Sequence, residues 1–249
     1  MSVVNNYEPP RPPTESYLDP VEPYDINFCL PIPASLETDR VKLAPFNPSI
    51  HGKPFFTAYD KAQDSLGQYL PISLTTYQKF LAYLEGVRVD PNAVLFAIID
   101  KTRSNEGDLS ACLAGVIGFL NTAKDNFVVE IAPVIILPTF QRTFVTTNAI
   151  GILLKYCLDL PPQGGIGFRR VTWTAHQNNQ ASVKAAERMG MKREGHLRWT
   201  WAISSEKIGE KCGEGRGDAL GRDSILLAIC WDDWERGTRE EVKKLVDRL

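Results

Sequence analysis

The sequence FVVEIAPVIILPTFQRTFVTT (residues 127–147) decides the fold of this chain. Its first half is an apolar run that only Glu130 interrupts, and Pro138 ends the run before a polar turn at residues 139–143. An amphipathic segment then continues over residues 146–160. This order predicts a buried strand, a turn rich in hydrogen-bond donors, and a helix.

A second strand and a second helix are predicted directly afterwards. A glycine-rich link, GGIG (residues 164–167), is followed by the run RVTWTA (residues 170–175), whose composition is typical of a strand. The sequence NNQAS (residues 178–182) then opens a helical stretch that stops at Gly190. Residues 127–190 therefore predict the succession strand, helix, strand, helix.

The flanking segments add further elements on both sides. Alternating or continuous apolar runs predict strands, helical spacing predicts helices, and the TREE sequence at residues 238–241 is a capping-box pattern that predicts the start of a terminal helix. Together the elements predict an α+β or α/β layer fold, a mixed sheet with helices on its faces. The flanking strands are predicted at residues 37–43, 93–99, 111–121, 194–203 and 224–231, and the helices at residues 55–66, 75–84 and 238–249.

Composition narrows the class of protein. A chain of 249 residues is long enough for a real core, and a net charge of −2 gives no reason to expect nucleic acid or an anionic membrane as partner. The first 30 residues are rich in proline and lack the apolar core of a signal peptide, and no apolar stretch approaches the roughly 20 residues that span a bilayer. We expect a proline-rich arm over residues 1–30, one domain over residues 31–236, and a terminal helix over residues 237–249.

The cysteine and histidine content predicts a reducing compartment and no metal site. The chain has five widely spaced cysteines without a CxxC pair, and its three histidines show no ligand spacing. We therefore expect a cytoplasmic protein.

The turn after Pro138 is suited to an anion. A strand that ends there and feeds a helix directs several free backbone N–H groups to one place, where the helix dipole favours negative charge. Arg142 adds a cation that can bind phosphate oxygens, and Thr143, Thr146 and Thr147 offer hydroxyl groups. The alternative from these residues alone is an ordinary strand–helix connection with a surface arginine.

Four pieces of the sequence, in this order, resemble a known family. They are LETDRVKL (residues 36–43), VEI with PTFQ (129–131 and 138–141), NQAS with RMGM and EG (179–182, 188–191 and 194–195), and the run from Asp223 to Trp234. They resemble the GNAT superfamily of acyl-CoA-dependent N-acetyltransferases, most of all its ribosomal-protein-alanine (Rim-type) branch and the fungal proteins related to it. The match covers roughly residues 33–235.

The resemblance implies a GNAT-like fold and a binding site for acetyl-CoA as cosubstrate. It implies a mixed, mostly antiparallel sheet of six to seven strands whose fourth and fifth strands splay apart, with the pantetheine arm between them. One departure is that Phe144 and Thr146 occupy positions where the family's phosphate loop carries glycine, the residue that lets a backbone approach a ligand closely. The residues that the resemblance implies for cofactor binding are Ile136, Gln141, Arg142, Thr143, Phe144, Val145, Thr146, Asn179 and Ser182.

The catalytic groups are harder to assign from sequence. Glu130, alone in an apolar strand, is the candidate general base, because partial burial raises the pKa of a carboxylate; the alternative is an ion-paired or solvent-facing strand residue. Many members of the family carry a tyrosine that protonates the leaving thiolate, where this chain has Ala186. Ser182 or a water molecule would have to donate that proton instead. On the acceptor side we predict Trp173 and Trp199, with Trp201 and His176 on strands that would line the same side. The alternative, which the residues alone favour, is that all four are simply core or sheet-face aromatics.

The sequence leads to one main hypothesis and two alternatives. The main one is an N-acetyltransferase that moves the acetyl group of acetyl-CoA directly to a primary amine, on a protein N-terminus or a small molecule. Phe144, Thr146 and Ala186 favour instead a degenerate GNAT-fold module that binds acyl-CoA or regulates a partner. An unrelated α/β protein that binds a phosphate ligand is the third. Monomer and homodimer both remain open.

Overall fold

The computed structural model describes residues 23–33, 35–103 and 108–248, and within them seven strands form one sheet in the order β1-β2-β3-β4-β5-β7-β6. Neighbouring strands are antiparallel, except that β4 and β5 are parallel. The predicted mixed, mostly antiparallel sheet is therefore confirmed. The strands are β1 Val41–Pro45, β2 Val94–Asp100, β3 Leu113–Ala123, β4 Val128–Ile136, β5 Arg170–His176, β6 Lys192–Ile203 and β7 Leu220–Cys230.

Helices flank this sheet on both faces. Phe119 of β3, the register partner of Val94, stacks on Tyr156 at 6.1 Å between ring centroids. Pro45 is the register partner of Phe96, which shares the face of Val94 and Phe119. Phe46 is the next residue after Pro45, so its ring lies on the opposite face, where it contacts two helices. The helices are α1 Lys53–Asp60, α2 Gln63–Gly67, α3 Tyr77–Val89, α4 Leu109–Cys112, α5 Phe144–Leu158, α6 Gln180–Arg188, α7 Trp231–Asp233 and α8 Arg239–Val246. Tyr156 belongs to α5, and the partners of Phe46 are Phe55 of α1 and Phe80 of α3.

The two central parallel strands separate after a short paired region. β4 and β5 are in register only from Val128↔Arg170 to Glu130↔Thr172, although β4 runs on to Ile136 and β5 runs on to His176. Beyond that point each strand pairs only with its outer neighbour, β4 with β3 and β5 with β7. The predicted splay is confirmed, and it leaves two unpaired strand edges facing a gap in the middle of the sheet.

Tertiary pairing moved several predicted boundaries. The first strand is Val41–Pro45 and not residues 37–43, since Glu37 contributes only an isolated bridge to Lys42. The last strand begins at Leu220 and not at residue 224, because its first residues pair with the end of β6. The connection between β6 and β7 therefore spans residues 204–219 and is shorter than the predicted strand bounds imply.

The capping box predicted at Thr238 is wrong. Thr238 has helical backbone angles, φ −64° and ψ −30°, and its side chain accepts no capping hydrogen bond. The chain enters α8 from the turns that follow α7, so the first amides of α8 already have carbonyl partners behind them. A side-chain cap works only where the residue before the helix is extended.

α8 and the described part of the N-terminal segment both pack on α5. Gly151 permits the close approach of α8, since a Cβ there would lie 2.5 Å from Cγ2 of Val246. The Tyr156 hydroxyl donates to the carbonyl of Pro31, and Phe28 stacks on Phe119. Residues 1–22 of the predicted arm lie outside the described residues. Among those described, no helix combines the length and apolarity needed to cross a bilayer.

Candidate active site

The N-terminus of α5 presents free donors at the predicted phosphate turn. Thr143 is the N-cap, and its hydroxyl accepts from the amide of Val145 at 3.3 Å and donates to the carbonyl of Phe140 at 2.7 Å. The amides of Phe144 and Thr146 have no acceptor among the described residues. Because first-turn amides of a helix have no partner within the helix, these two point outward with the positive end of the dipole.

The missing glycines do not strain this turn. Phe144 and Thr146 lie in the first turn of α5 with helical geometry, and the only positive φ in the segment is +61° at Arg142. The ring of Phe144 turns away against the core, where the guanidinium of Arg40 lies 4.4 Å from its centroid. Bulk at this position is therefore directed into the protein and away from the outward-facing amides.

Two exposed arginines flank these amides. Arg142 sits on the turn itself, and Arg188 reaches across from the end of α6 to the hydroxyl of Thr147 at 3.4 Å. Guanidinium groups bind phosphate oxygens through two parallel hydrogen bonds. We had not predicted Arg188 as a site residue, although it stands in one of the four matched pieces; its approach to α5 depends on how the two helices pack.

The gap between β4 and β5 leads from this turn into the sheet. Ile136, at its outer end, pairs with Gly115 of β3, and its carbonyl accepts from the side chain of Gln141 at 3.0 Å. The unpaired edges of β4 and β5 offer backbone donors and acceptors to an extended molecule that carries amide groups, as a peptide strand does when it adds to a sheet.

Asn179 and Ser182 form the opposite wall at the start of α6. The Asn179 side chain caps the helix by accepting from the amide of Ser182 at 3.1 Å. The Ser182 hydroxyl accepts from the indole N–H of Trp173 at 3.0 Å. That bond fixes the direction of the hydroxyl, which retains one proton to donate elsewhere.

Glu130 lies where β4 and β5 separate, and its environment suits a base. Burial raises the pKa of its carboxyl group, while a hydrogen bond from Asn121 at 2.7 Å, the backbone of Thr174 and the charge of Arg222 all act to lower that pKa. The net effect is a raised pKa, as the sequence predicted for a partly buried carboxylate. A base titrating closer to neutrality removes a proton from an ammonium group more effectively.

Both ring nitrogens of His176 are engaged by backbone groups, so neither is free to accept a proton from a ligand. Its Nδ1 accepts from the amide of Asn178 at 3.0 Å, and its Nε2 lies 3.3 Å from the carbonyl of Ile208, to which it can donate. Burial lowers its pKa, and the charge of Arg222 lowers it further. Through this bond His176 ties the segment after β6 to β5.

Arg222 on β7 was not predicted at all. It is 5% exposed, its Nε has no hydrogen-bond partner, and its guanidinium makes no ion pair within the described residues. The register places His176 opposite Ser224 and Glu130 opposite Thr172, so Arg222 shares the face of Glu130. No local sequence signal distinguishes Arg222 from a surface arginine, because its burial comes from the strands and loops packed around it.

The predicted tryptophans lie on the other face. Trp173 is buried and bonded to Ser182, and it alternates with Thr172, the partner of Glu130. The ring of Trp199 covers Gly221, where a Cβ would meet it at 1.9 Å, and Gly221 alternates with Arg222. The structure thus brings Glu130 together with Arg222 and His176, and it does not bring Trp173 or Trp199 to them.

Two further features bear on the predicted chemistry. Ala186, which replaces the family's tyrosine, is completely buried. Among the described residues, Cys230, Asp232 and Asp233 could approach a common metal ion, but Asp233 is bonded to Lys192 and Asp232 pairs with Arg236 at 3.1 Å.

Comparison with known proteins agrees with this geometry. A family model described as an acetyltransferase (GNAT) domain matches residues 40–192. No curated protein matches the chain. Among solved structures, a GCN5-related N-acetyltransferase from Brucella melitensis is 24% identical with a TM-score of 0.67, over 87% of this chain and 86% of that one.

Two other similar structures contain coenzyme A. Mycobacterium smegmatis RimJ, in complex with CoA-disulfide, is 15% identical with a TM-score of 0.61, over 82% of this chain and 88% of that one. RimL, a ribosomal-protein acetyltransferase in complex with coenzyme A, is 18% identical with a TM-score of 0.60, over 80% of this chain and 99% of that one. At such identity the likeness concerns the fold. The family model spans more than half of the chain, and the chain belongs to the GNAT acetyltransferase family.

Proposed function

We propose that this protein is an N-acetyltransferase that transfers the acetyl group of acetyl-CoA directly to a primary amine. The observation that carries the proposal is the position of Glu130 at the point where β4 and β5 separate. An activated acyl group entering along the gap from the α5 turn would arrive beside Glu130, a half-buried carboxylate whose pKa is raised. This chemistry needs a base within reach of the amine.

The α5 turn and Glu130 have separate roles in this reaction. The amides of Phe144 and Thr146, with Arg142 and Arg188, would hold the pyrophosphate. Acetyl-CoA supplies a thioester as the acyl donor. Glu130 takes a proton from the acceptor ammonium, so that the amine nitrogen can attack the thioester carbonyl carbon.

Bond changes at the thioester complete the transfer. A carbon–nitrogen bond forms, the carbon–sulfur bond breaks, and the sulfur leaves as a thiolate that takes up a proton. Ser182, whose hydroxyl keeps a free proton, is the donor we assign to that last step, since Ala186 has none to give.

Thr146→Glu tests the phosphate turn. Thr146 is the third residue of α5, where a carboxylate favours the helix but repels a pyrophosphate. We expect a stable variant whose affinity for CoA, measured by calorimetry, falls roughly 30-fold or more, since a carboxylate placed beside the pyrophosphate makes a repulsive contact worth about 2 kcal/mol. Gln78→Glu is the matched control, since it adds the same charge to the exposed first turn of α3.

Two results would contradict the proposal. Unchanged CoA affinity in Thr146→Glu would remove the phosphate site from this turn. Tight binding of acetyl-CoA by the unaltered protein, without release of free thiol in the presence of any amine of a broad panel, would instead favour the degenerate binding module. In that case the absence of an acid at Ala186 would be its structural reason.

A further inference from the structure

The strongest unassigned feature is the buried cation on the face of Glu130. Arg222 is 5% exposed, its Nε has no hydrogen-bond partner, and among the described residues no carboxylate lies within ion-pair distance of its guanidinium. Burying a charge without a partner is costly, so a protein keeps one where a ligand compensates it. Arg222 therefore points to a negatively charged ligand.

The groups around Arg222 show where that ligand would bind. The sheet register places Glu130 and His176 on the same face as Arg222, and the contact of His176 with the carbonyl of Ile208 brings the neighbouring Lys207 to this face. His176 is neutral, and Lys207 is half-buried with its ammonium donating to the carbonyl of Gly67 at 2.9 Å. Two cations, Arg222 and Lys207, thus accompany one carboxylate, Glu130, and the three groups together carry an excess of positive charge.

The remaining nearby acid does not neutralise it. Asp223, the next residue along β7, projects to the other face, where it accepts from the amide of Trp199 at 2.8 Å and lies 3.0 Å from His196. Glu130 is not within ion-pair distance of Arg222. Glu130 and Arg222 therefore present a carboxylate and an unpaired guanidinium on the same face of the sheet.

We propose that the acetyl acceptor is an amine that carries a carboxylate within a few bonds of the reacting nitrogen, and that Arg222 binds this carboxylate while Glu130 faces the ammonium. This inference rests on the proposed function and names its acceptor class. The carboxylate of the ligand meets the guanidinium of Arg222 and its ammonium group meets the carboxylate of Glu130. This pairing orients the amine towards the gap. A free amino acid and a peptide that begins with Asp or Glu both have this chemistry.

A panel of matched acceptors tests the proposal. Each free amino acid is compared with its α-carboxamide, and peptides beginning with Asp or Glu are compared with those beginning with Asn or Gln; the readout is thiol release from acetyl-CoA. Each pair differs in the charge of one group at nearly constant shape. We expect a preference for the carboxylate of roughly 100-fold in kcat/KM in one of the two sets, because the amide leaves the guanidinium unpaired. The set that shows it identifies the source of the carboxylate.

Variants of Arg222 test whether its guanidinium causes the preference for carboxylate acceptors. Arg222→Met should abolish the preference, and Arg222→Lys should retain part of it, since lysine keeps the charge but loses the planar fork. Arg216→Met, which removes an exposed arginine from the segment before β7, should leave it intact. Equal losses on acid and amide acceptors in Arg222→Met would mean that Arg222 only tunes Glu130, and would overturn the proposal.

Failure of this inference is separable from failure of the proposed function. Turnover of amines without any preference for a carboxylate would overturn the acceptor class and leave the transferase intact. If no amine is acetylated, calorimetric titration of the same panel into the protein saturated with CoA decides. Binding that requires both the carboxylate and Arg222 keeps the assignment of Arg222, and its absence removes it.

Discussion

Glu130→Gln should lower kcat/KM for amine acetylation by about 10²- to 10⁴-fold, the usual contribution of a positioned general base. Glutamine keeps the size of the side chain and an oxygen for the hydrogen bond from Asn121, but it cannot take up the proton. The affinity for CoA should not change, because Glu130 lies at the inner end of the gap, away from the α5 turn. Steady-state kinetics with calorimetry for CoA separate the two effects.

The pH profile gives the same prediction a second readout. Burial raises the pKa of Glu130, so the unaltered enzyme should lose activity as pH falls through that raised pKa, and the glutamine variant should lack this limb. A carboxyl group whose pKa is raised on folding stabilises the protein at low pH, and this contribution is lost as pH rises through the folded pKa. Glu130→Gln should therefore be at least as stable as the parent at neutral pH, which excludes misfolding as the cause of a low rate.

Glu206→Gln, an exposed carboxylate in the segment after β6, is the matched control and should retain full activity. A decrease in kcat/KM of less than fivefold in Glu130→Gln would show that another group accepts the proton. Glu130 would then have a structural role and no role as a base.

Asp159→Ala should destabilise the protein by about 3 kcal/mol, within the range for breaking a buried charge pair. Asp159 is 3% exposed and its Oδ1 accepts from the indole of Trp234 and from Nε of Arg239, each at 2.8 Å. These bonds connect the end of α5 to the turns that lead into α8. Alanine leaves a buried indole N–H and a half-buried guanidinium without their acceptor.

Urea denaturation followed by fluorescence measures this change, with Asp218→Ala as the control for loss of an exposed aspartate. Asp159→Asn should be less damaging than alanine, because its amide oxygen can still accept from Trp234. A change below 1 kcal/mol for Asp159→Ala would mean that the C-terminal segment contributes little to the free energy of unfolding.

Local sequence was sufficient for the seven strands, the longer helices and their order, whereas the short helices α4 and α7 were not predicted. The apolar run ending at Pro138 became β4, and the segment after it became α5 with Thr143 as its cap. Glu130 was recognisable because it is the one charged residue in a buried run. Boundaries that depend on a partner strand, such as the start of β7, were missed. Residues 238–241 have the sequence of a capping box, but carbonyl groups of the preceding turns already accept from the first amides of α8.

Sequence by itself was enough to predict a mixed sheet, a turn suited to an anion and a partly buried carboxylate, since hydrophobic period, helix signals and the four matched pieces are all local. Only the tertiary structure decided which side chains share a face. It moved Trp173 and Trp199 away from Glu130, brought Arg188 to the α5 turn, and buried Arg222 beside the candidate base. The physical reason is that burial and pairing of charges depend on strands distant in sequence, and no local pattern records them.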